Sequence, residues 1–181
     1  YDQQMFPVFY AGLFSSVETG TRVYGYLNSF QVVLEAIGMA VIPFFVNKVG
    51  AKKALIAGGM IMICRILVSA TSESPYIISL IKLFHAIEVP LFVISVFKYS
   101  VSNFDSRLSS TIFLVGFQIA SSLGIVLLSI PVGMLFDAFG YHFVFYLFSA
   151  IVSVILLFGV VFLSNGRNTG PRSAVVQNET L

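Results

Sequence analysis

The sequence predicts an all-α membrane protein whose helices cross the bilayer several times. Three observations carry that prediction. Of the 181 residues, 57% are hydrophobic and only 10% are charged, where a soluble domain carries about 25%. The mean hydropathy is +0.95. The apolar residues gather into runs of about twenty, the length that crosses a hydrocarbon core roughly 30 Å thick. Short polar breaks containing Gly, Pro, Asn or Ser separate the runs. Disorder is excluded by the same composition. Nucleic acid is not an expected partner, because a net charge of +2 without a basic cluster gives no electrostatic footprint. One cysteine, Cys64, rules out an internal disulfide framework.

The reading gives one partial and five full segments. The partial one covers about 1–14. It starts at Tyr1 with no basic n-region, so no signal peptide is read there. The expectation is a chain cut inside a larger protein. Gly20 and Thr21 are expected to open a loop before a second segment at about 23–46. The turn Asn47-Lys48-Val49-Gly50-Ala51-Lys52-Lys53 follows, with Gly50 able to take positive φ. A third segment covers about 54–70. Thr71-Ser72-Glu73-Ser74-Pro75 ends it, and Pro75 suits the first turn of a fourth at 75–99. Asn103-Phe104-Asp105-Ser106-Arg107 precedes a fifth at about 109–134. Asp137-Ala138-Phe139-Gly140 precedes a sixth at about 141–163. The stretch 165–181 is polar and reads as a tail.

Lys and Arg placement sets an expected orientation. Lys48, Lys52, Lys53, Lys98, Arg107, Arg167 and Arg172 share one side if the helices alternate, and the other receives Arg22. The tail is therefore expected in the cytoplasm, with the Thr71–Pro75 and Asp137–Gly140 turns outside.

Inside or at the edge of the apolar runs stand Asp2, Glu35, Arg65, Lys82 and Glu88, joined by His85. A charge at mid-bilayer costs roughly 2.5–3.5 kcal/mol even on an insertion scale, so such groups face partners or a water-filled cavity. Two readings fit: a structural ion-pair set, or a pathway for substrate or proton. Six such groups in one small bundle favour the second. In Lys82-x-x-His85-x-x-Glu88 each step of three turns about 60° and rises about 4.5 Å, so the three share one helical face. Desolvation by Ile87, Val89 and Leu91 favours protonated Glu88, and a nearby Arg65 opposes this. A carboxyl held between these influences suits loading and release of a proton. Pro90 is expected to kink the helix.

Asn28, Gln31 and Glu35 form a polar stripe on the second segment, at spacings of three and four. Amides and a carboxylate suit sugar hydroxyls, and they equally suit interhelical hydrogen bonding. Gln118, Ser121 and Ser122 add polar groups to the fifth segment, where Ser122 reads better as a packing contact.

These residues together resemble the bacterial oligosaccharide:proton symporters of the major facilitator superfamily, whose best-known members carry lactose, raffinose and sucrose. The resemblance lies in Asp2-Gln3-Gln4, Gly20-Thr21-Arg22, Lys82-x-x-His85-x-x-Glu88-Val89-Pro90 and Phe97-Lys98-Tyr99, in that order, and extends from Asp2 to about Phe162. The Lys-His-Glu helix is its most specific part. The loop Asn47–Lys53 is similar to that superfamily's signature loop, with Asn47 in place of an acid. The resemblance implies the C-terminal six-helix bundle of such a transporter, with its first helix truncated. It implies Arg65, His85 and Glu88 as the proton-coupling set and Asp2 with Lys82 as a charge pair.

Two departures bear on substrate. Lactose-type members carry lysine at the place of Ser121. They also carry a sugar-binding glutamate at the place of Val32 and an asparagine at that of Glu35, so here the carboxylate has moved about one turn. The runs Gly25–Glu35 and Gly116–Ser122 resemble sucrose-type members. The expected function is therefore disaccharide:proton symport by alternating access, sucrose first, with lactose, raffinose or melibiose as alternatives. Asn28, Gln31, Glu35 and Gln118 are the expected sugar contacts. No metal or organic cofactor is implied. The expected partners are sugar, proton, the lipid bilayer of a bacterial inner membrane and an N-terminal six-helix half, in a monomer when complete. An inactive half-carrier is a rival reading. An intramembrane enzyme is another, disfavoured because no His-Glu-x-x-His occurs and His85 has no evident serine partner.

Overall fold

The computed structural model describes residues 5–103 and 111–163. Asp2, the residues following Asn103 up to 110, and the 165–181 tail lie outside the described residues. Among those described, every regular element is helical. They are α1 (Met5–Gly12), α2 (Val17–Val49), α3 (Ala51–Thr71), α4 (Pro75–Leu83), α5 (His85–Asn103), a π-helical segment (Leu114–Ile119) and α6 (Ala120–Phe162). Four stretches are long and apolar enough to cross a membrane: Val17–Val49, Ala51–Thr71, Pro75–Ser102 and Thr111–Phe162.

The last of these is two passes. At Gly140 the backbone takes φ 76°, which favours glycine, and the helix breaks. Phe113 meets Phe97 near one end of the bundle, and His142 meets the Ala70 carbonyl at the other. The chain therefore reverses at Gly140. The α2–α3 corner is equally economical, with Gly50 at φ 93° as the one residue between the two helices.

Two features differ from the sequence expectation. Gly20 and Thr21 do not open a loop. They lie in α2, which begins at Val17 after an N-cap in which the Ser16 hydroxyl accepts from the Thr19 N–H. Gly20 serves packing instead: a Cβ there would stand 2.6 Å from the Ala11 carbonyl oxygen, so glycine lets α1 lie directly on α2. The run 75–99 continues as one stretch to Ser102, interrupted for one residue upstream of Pro90 rather than at the proline itself. It breaks at Phe84, whose N–H bonds Ile81 O, and Ile87 and Glu88 both donate to Phe84 O. A proline ring meets the carbonyl of the residue four before it, so the disturbance falls in the turn upstream.

α3 packs against α5 and α6, and α2 packs against α5. At one end, Phe6, Phe9 and Tyr10 of α1 bury against Ile66, Ala70, Ile78 and Phe145. There Tyr141 donates to Glu73 at 3.2 Å, and the Tyr10 and Ser79 hydroxyls bond at 2.6 Å. At the other end Val46, Ala54 and Leu91 form a smaller cluster. Lysines tie helix ends together there: Lys98 donates to Asn47 Oδ1 at 2.6 Å, and Lys52 to the Leu163 carbonyl at 2.6 Å. None of residues 111–139 is fully buried, and α2 also leaves a wide apolar face open, including Phe30 and Phe44.

Candidate functional site

Between the two apolar clusters lies a charged interior. Arg65 projects from the middle of α3 on the face that also carries buried Gly58 and Ser69. Glu88 stands in the first turn of α5, opposite it. The Arg65 Nε donates to Glu88 Oε2 at 2.8 Å, and its Nη2 reaches Oε1 at 3.4 Å. His85 Nδ1 lies 3.7 Å from Glu88 Oε1, with the imidazole 18% exposed. The three residues thus form one connected group, with His85 at its solvent-facing edge.

Lys82 is separate from that group. The break places it on α4, and its side chain is buried with Nζ 5.0 Å over the Phe6 ring and 5.2 Å over the Tyr24 ring. Cation–π contact offsets part of its desolvation. The expected stripe of Lys82, His85 and Glu88 is therefore divided: two members meet Arg65, and one points to α1 and the start of α2.

The α2 stripe lies on the side facing α5. Gln31 is buried, and its Oε1 has no hydrogen-bond partner among the described residues. Asn28 is half-buried and accepts from the Tyr24 hydroxyl at 3.5 Å. Glu35 is half-buried and forms no ion pair among the described residues. An open carboxylate with an amide one turn away can take hydroxyl donors from a polyol. Gln118 is exposed, on the π-helical segment beside a cavity of about 280 Å³ that Ser122 also lines. Insertions of π-helix are frequent at functional sites.

Sequence reasoning missed Gly38 and Tyr24. A Cβ at Gly38 would stand 2.8 Å from the Ala86 carbonyl oxygen and 3.0 Å from Pro90 Cγ. That carbonyl has no helical donor, since Pro90 lacks the N–H. Glycine lets α2 approach α5 at this point, one turn below Glu35 and against the Ala86–Pro90 turn of α5. The signal was present as a glycine in an apolar helix, but its partner was not readable from one chain.

Residues 1–175 match the family model described as the LacY proton/sugar symporter. The chain belongs to that family. It is 70% identical to the sucrose permease of Escherichia coli over 92% of the chain and 40% of that protein. It is 39% identical to the lactose permease of Klebsiella oxytoca over 78% of the chain and 34% of that protein. It is 33% identical to the raffinose permease of Escherichia coli, over 91% of the chain and 39% of that protein. The chain spans about two-fifths of the length of the curated relatives it matches. These LacY-family relatives are multi-pass membrane permeases of bacteria and not enzymes, which sets aside the intramembrane-enzyme reading.

Proposed function

We propose that this chain is the C-terminal half of a sucrose:proton symporter of the bacterial inner membrane, coupled through protonation of Glu88. The observation that carries the reading is the buried Arg65–Glu88 pair with His85 at its edge. In that environment an ion pair is held because each charge neutralises the other. A proton delivered to Glu88 removes the charge that Arg65 balances. The neutral carboxylic acid tolerates apolar surroundings, and Arg65 is released to other acceptors. When Arg65 returns to the carboxyl, the ion pair re-forms and the proton leaves. His85, partly exposed and adjacent, relays the proton between water and Glu88.

Sugar binds at mid-membrane against Asn28, Gln31, Glu35 and Gln118, between this bundle and an N-terminal six-helix half, and the two halves rock to give alternating access. The open apolar faces of α2 and of residues 111–139 supply the surface that such a half would cover. Asp2 pairs with Lys82 in this reading. Sucrose is preferred over lactose, raffinose or melibiose because the chain is 70% identical to a sucrose permease and 39% or less to the others named. The lysine-rich end, with Lys48, Lys52, Lys53 and Lys98, faces the cytoplasm, and the tail lies on the same side.

The test is sugar-driven proton movement. Sucrose added to de-energised cells that express the full-length carrier should make the medium alkaline, while melibiose and lactose should not. Uptake of labelled sucrose without alkalinisation would reject coupling. Alkalinisation by lactose alone would reject the substrate.

A further inference from the structure

We infer that the groove between α5 and α6 is a binding site for an anionic glycerophospholipid of the leaflet on the lysine-rich side. The groove has a volume of about 410 Å³. Its floor is α3, at Ile56 and Gly59, and its walls are Phe92 and Tyr99 of α5 and Val152 to Leu163 of α6. The lining is apolar almost throughout, which suits an acyl chain and excludes a sugar. Gly59 shapes the floor: a Cβ there would stand 2.6 Å from a Leu156 methyl.

Length and charge select the occupant. From Val152 to Leu163 a helix rises about 16 Å at 1.5 Å per residue. Half of a hydrocarbon core of roughly 30 Å is about 15 Å, the depth of one leaflet. The groove therefore begins at the helix ends and stops near mid-membrane, as an acyl chain does. Its mouth carries positive charge. Lys52 is held there by its bond to the Leu163 carbonyl, which uses one of three N–H donors and leaves two. Lys53 is exposed beside it in the first turn of α3. Tyr99 lies at the same level, where an aromatic with a hydroxyl suits the headgroup region. A peptide helix would fill the apolar wall but leave these ammonium groups unmatched. A phosphodiester satisfies both. The site is independent of which sugar is carried.

The experiment is native mass spectrometry of the full-length carrier in mild detergent, titrated with phosphatidylglycerol or with phosphatidylcholine of the same chains. Two juxtamembrane lysines give about a 30-fold preference for the anionic lipid in the first bound equivalent. The double variant Lys52→Gln, Lys53→Gln should bring the two lipids to within about twofold. Ile155→Trp, which fills the groove from an exposed lining position, should weaken both lipids about tenfold. Leu157→Trp, on the same helix, about as exposed and outside the groove lining, should change neither. Equal binding of the two lipids by the unaltered carrier would make this an unselective annular contact and overturn the proposal. Unchanged phosphatidylglycerol binding in Ile155→Trp would also overturn it, since the groove would then be covered by another part of the carrier or a second copy.

Discussion

Arg65 and Glu88 meet at 2.8 Å between α3 and α5, with side chains 1% and 5% exposed. Removing either partner of such a pair is strongly destabilising, because it leaves the other charge buried without compensation. In the proposed mechanism a proton on Glu88 removes the charge that Arg65 balances, and with it this contact between α3 and α5.

Glu88→Gln fixes the neutral state. In the full-length carrier it should abolish uphill accumulation of sucrose while leaving sucrose exchange across the membrane within about threefold of the unaltered protein. Counterflow in proteoliposomes, set beside accumulation under an imposed proton gradient, makes the comparison. Accumulation at the normal level would remove Glu88 from the coupling role.

Arg65→Leu leaves a carboxylate buried without its partner. Stability should fall by about 3 kcal/mol, seen as a lower thermal midpoint of the purified carrier at neutral pH. Adding Glu88→Gln should recover most of the loss, since the stranded charge is gone. If the double variant is no more stable than Arg65→Leu, the two residues are not energetically linked.

Composition and punctuation made much of the fold legible. Apolar runs announced the helices, Gly50 and Pro75 marked real corners, and the reversal at Gly140 followed from its polar, glycine-ended turn. The break at Phe84 was not legible, because Ile-Lys-Leu-Phe-His-Ala-Ile-Glu reads as an unbroken helix and the cause, Pro90, sits a turn and a half later. Spacing placed His85 and Glu88 on a common face, and the pairing of Glu88 with Arg65 needed only a neighbouring charge. The direction of Lys82 depended on that hidden break, and on aromatic rings of α1 that no periodicity could assign to it. Asp2, its expected partner, lies outside the described residues.

Glu35 tests the sugar side. It is half-buried and free of ion pairs among the described residues, so its oxygens are available to a ligand. Hydrogen bonds to a charged group contribute roughly 1.5–3 kcal/mol. Glu35→Ala should therefore weaken sucrose binding at least about tenfold, with the proton response of exchange unaltered. Displacement of a labelled galactoside-free disaccharide from purified carrier measures it. Unchanged affinity would assign Glu35 to helix packing.

Gly38 tests the contact between the two functional helices. Any side chain there meets the Ala86 carbonyl oxygen at 2.8 Å and Pro90 Cγ at 3.0 Å, and backbone cannot rotate aside as a side chain can. Gly38→Val should push α2 from α5 and cost about 1–3 kcal/mol of stability. Pro90→Ala should offset part of this, since it removes the ring and returns an N–H to the Ala86 carbonyl. The informative quantity is what happens to coupling when fold is retained. Separation at this point moves Glu35, one turn above on α2, relative to Glu88 on α5. The ratio of sucrose accumulated to sucrose exchanged should therefore fall in Gly38→Val and recover in the double variant. Equal ratios in all three proteins would mean that close contact of α2 and α5 serves packing alone.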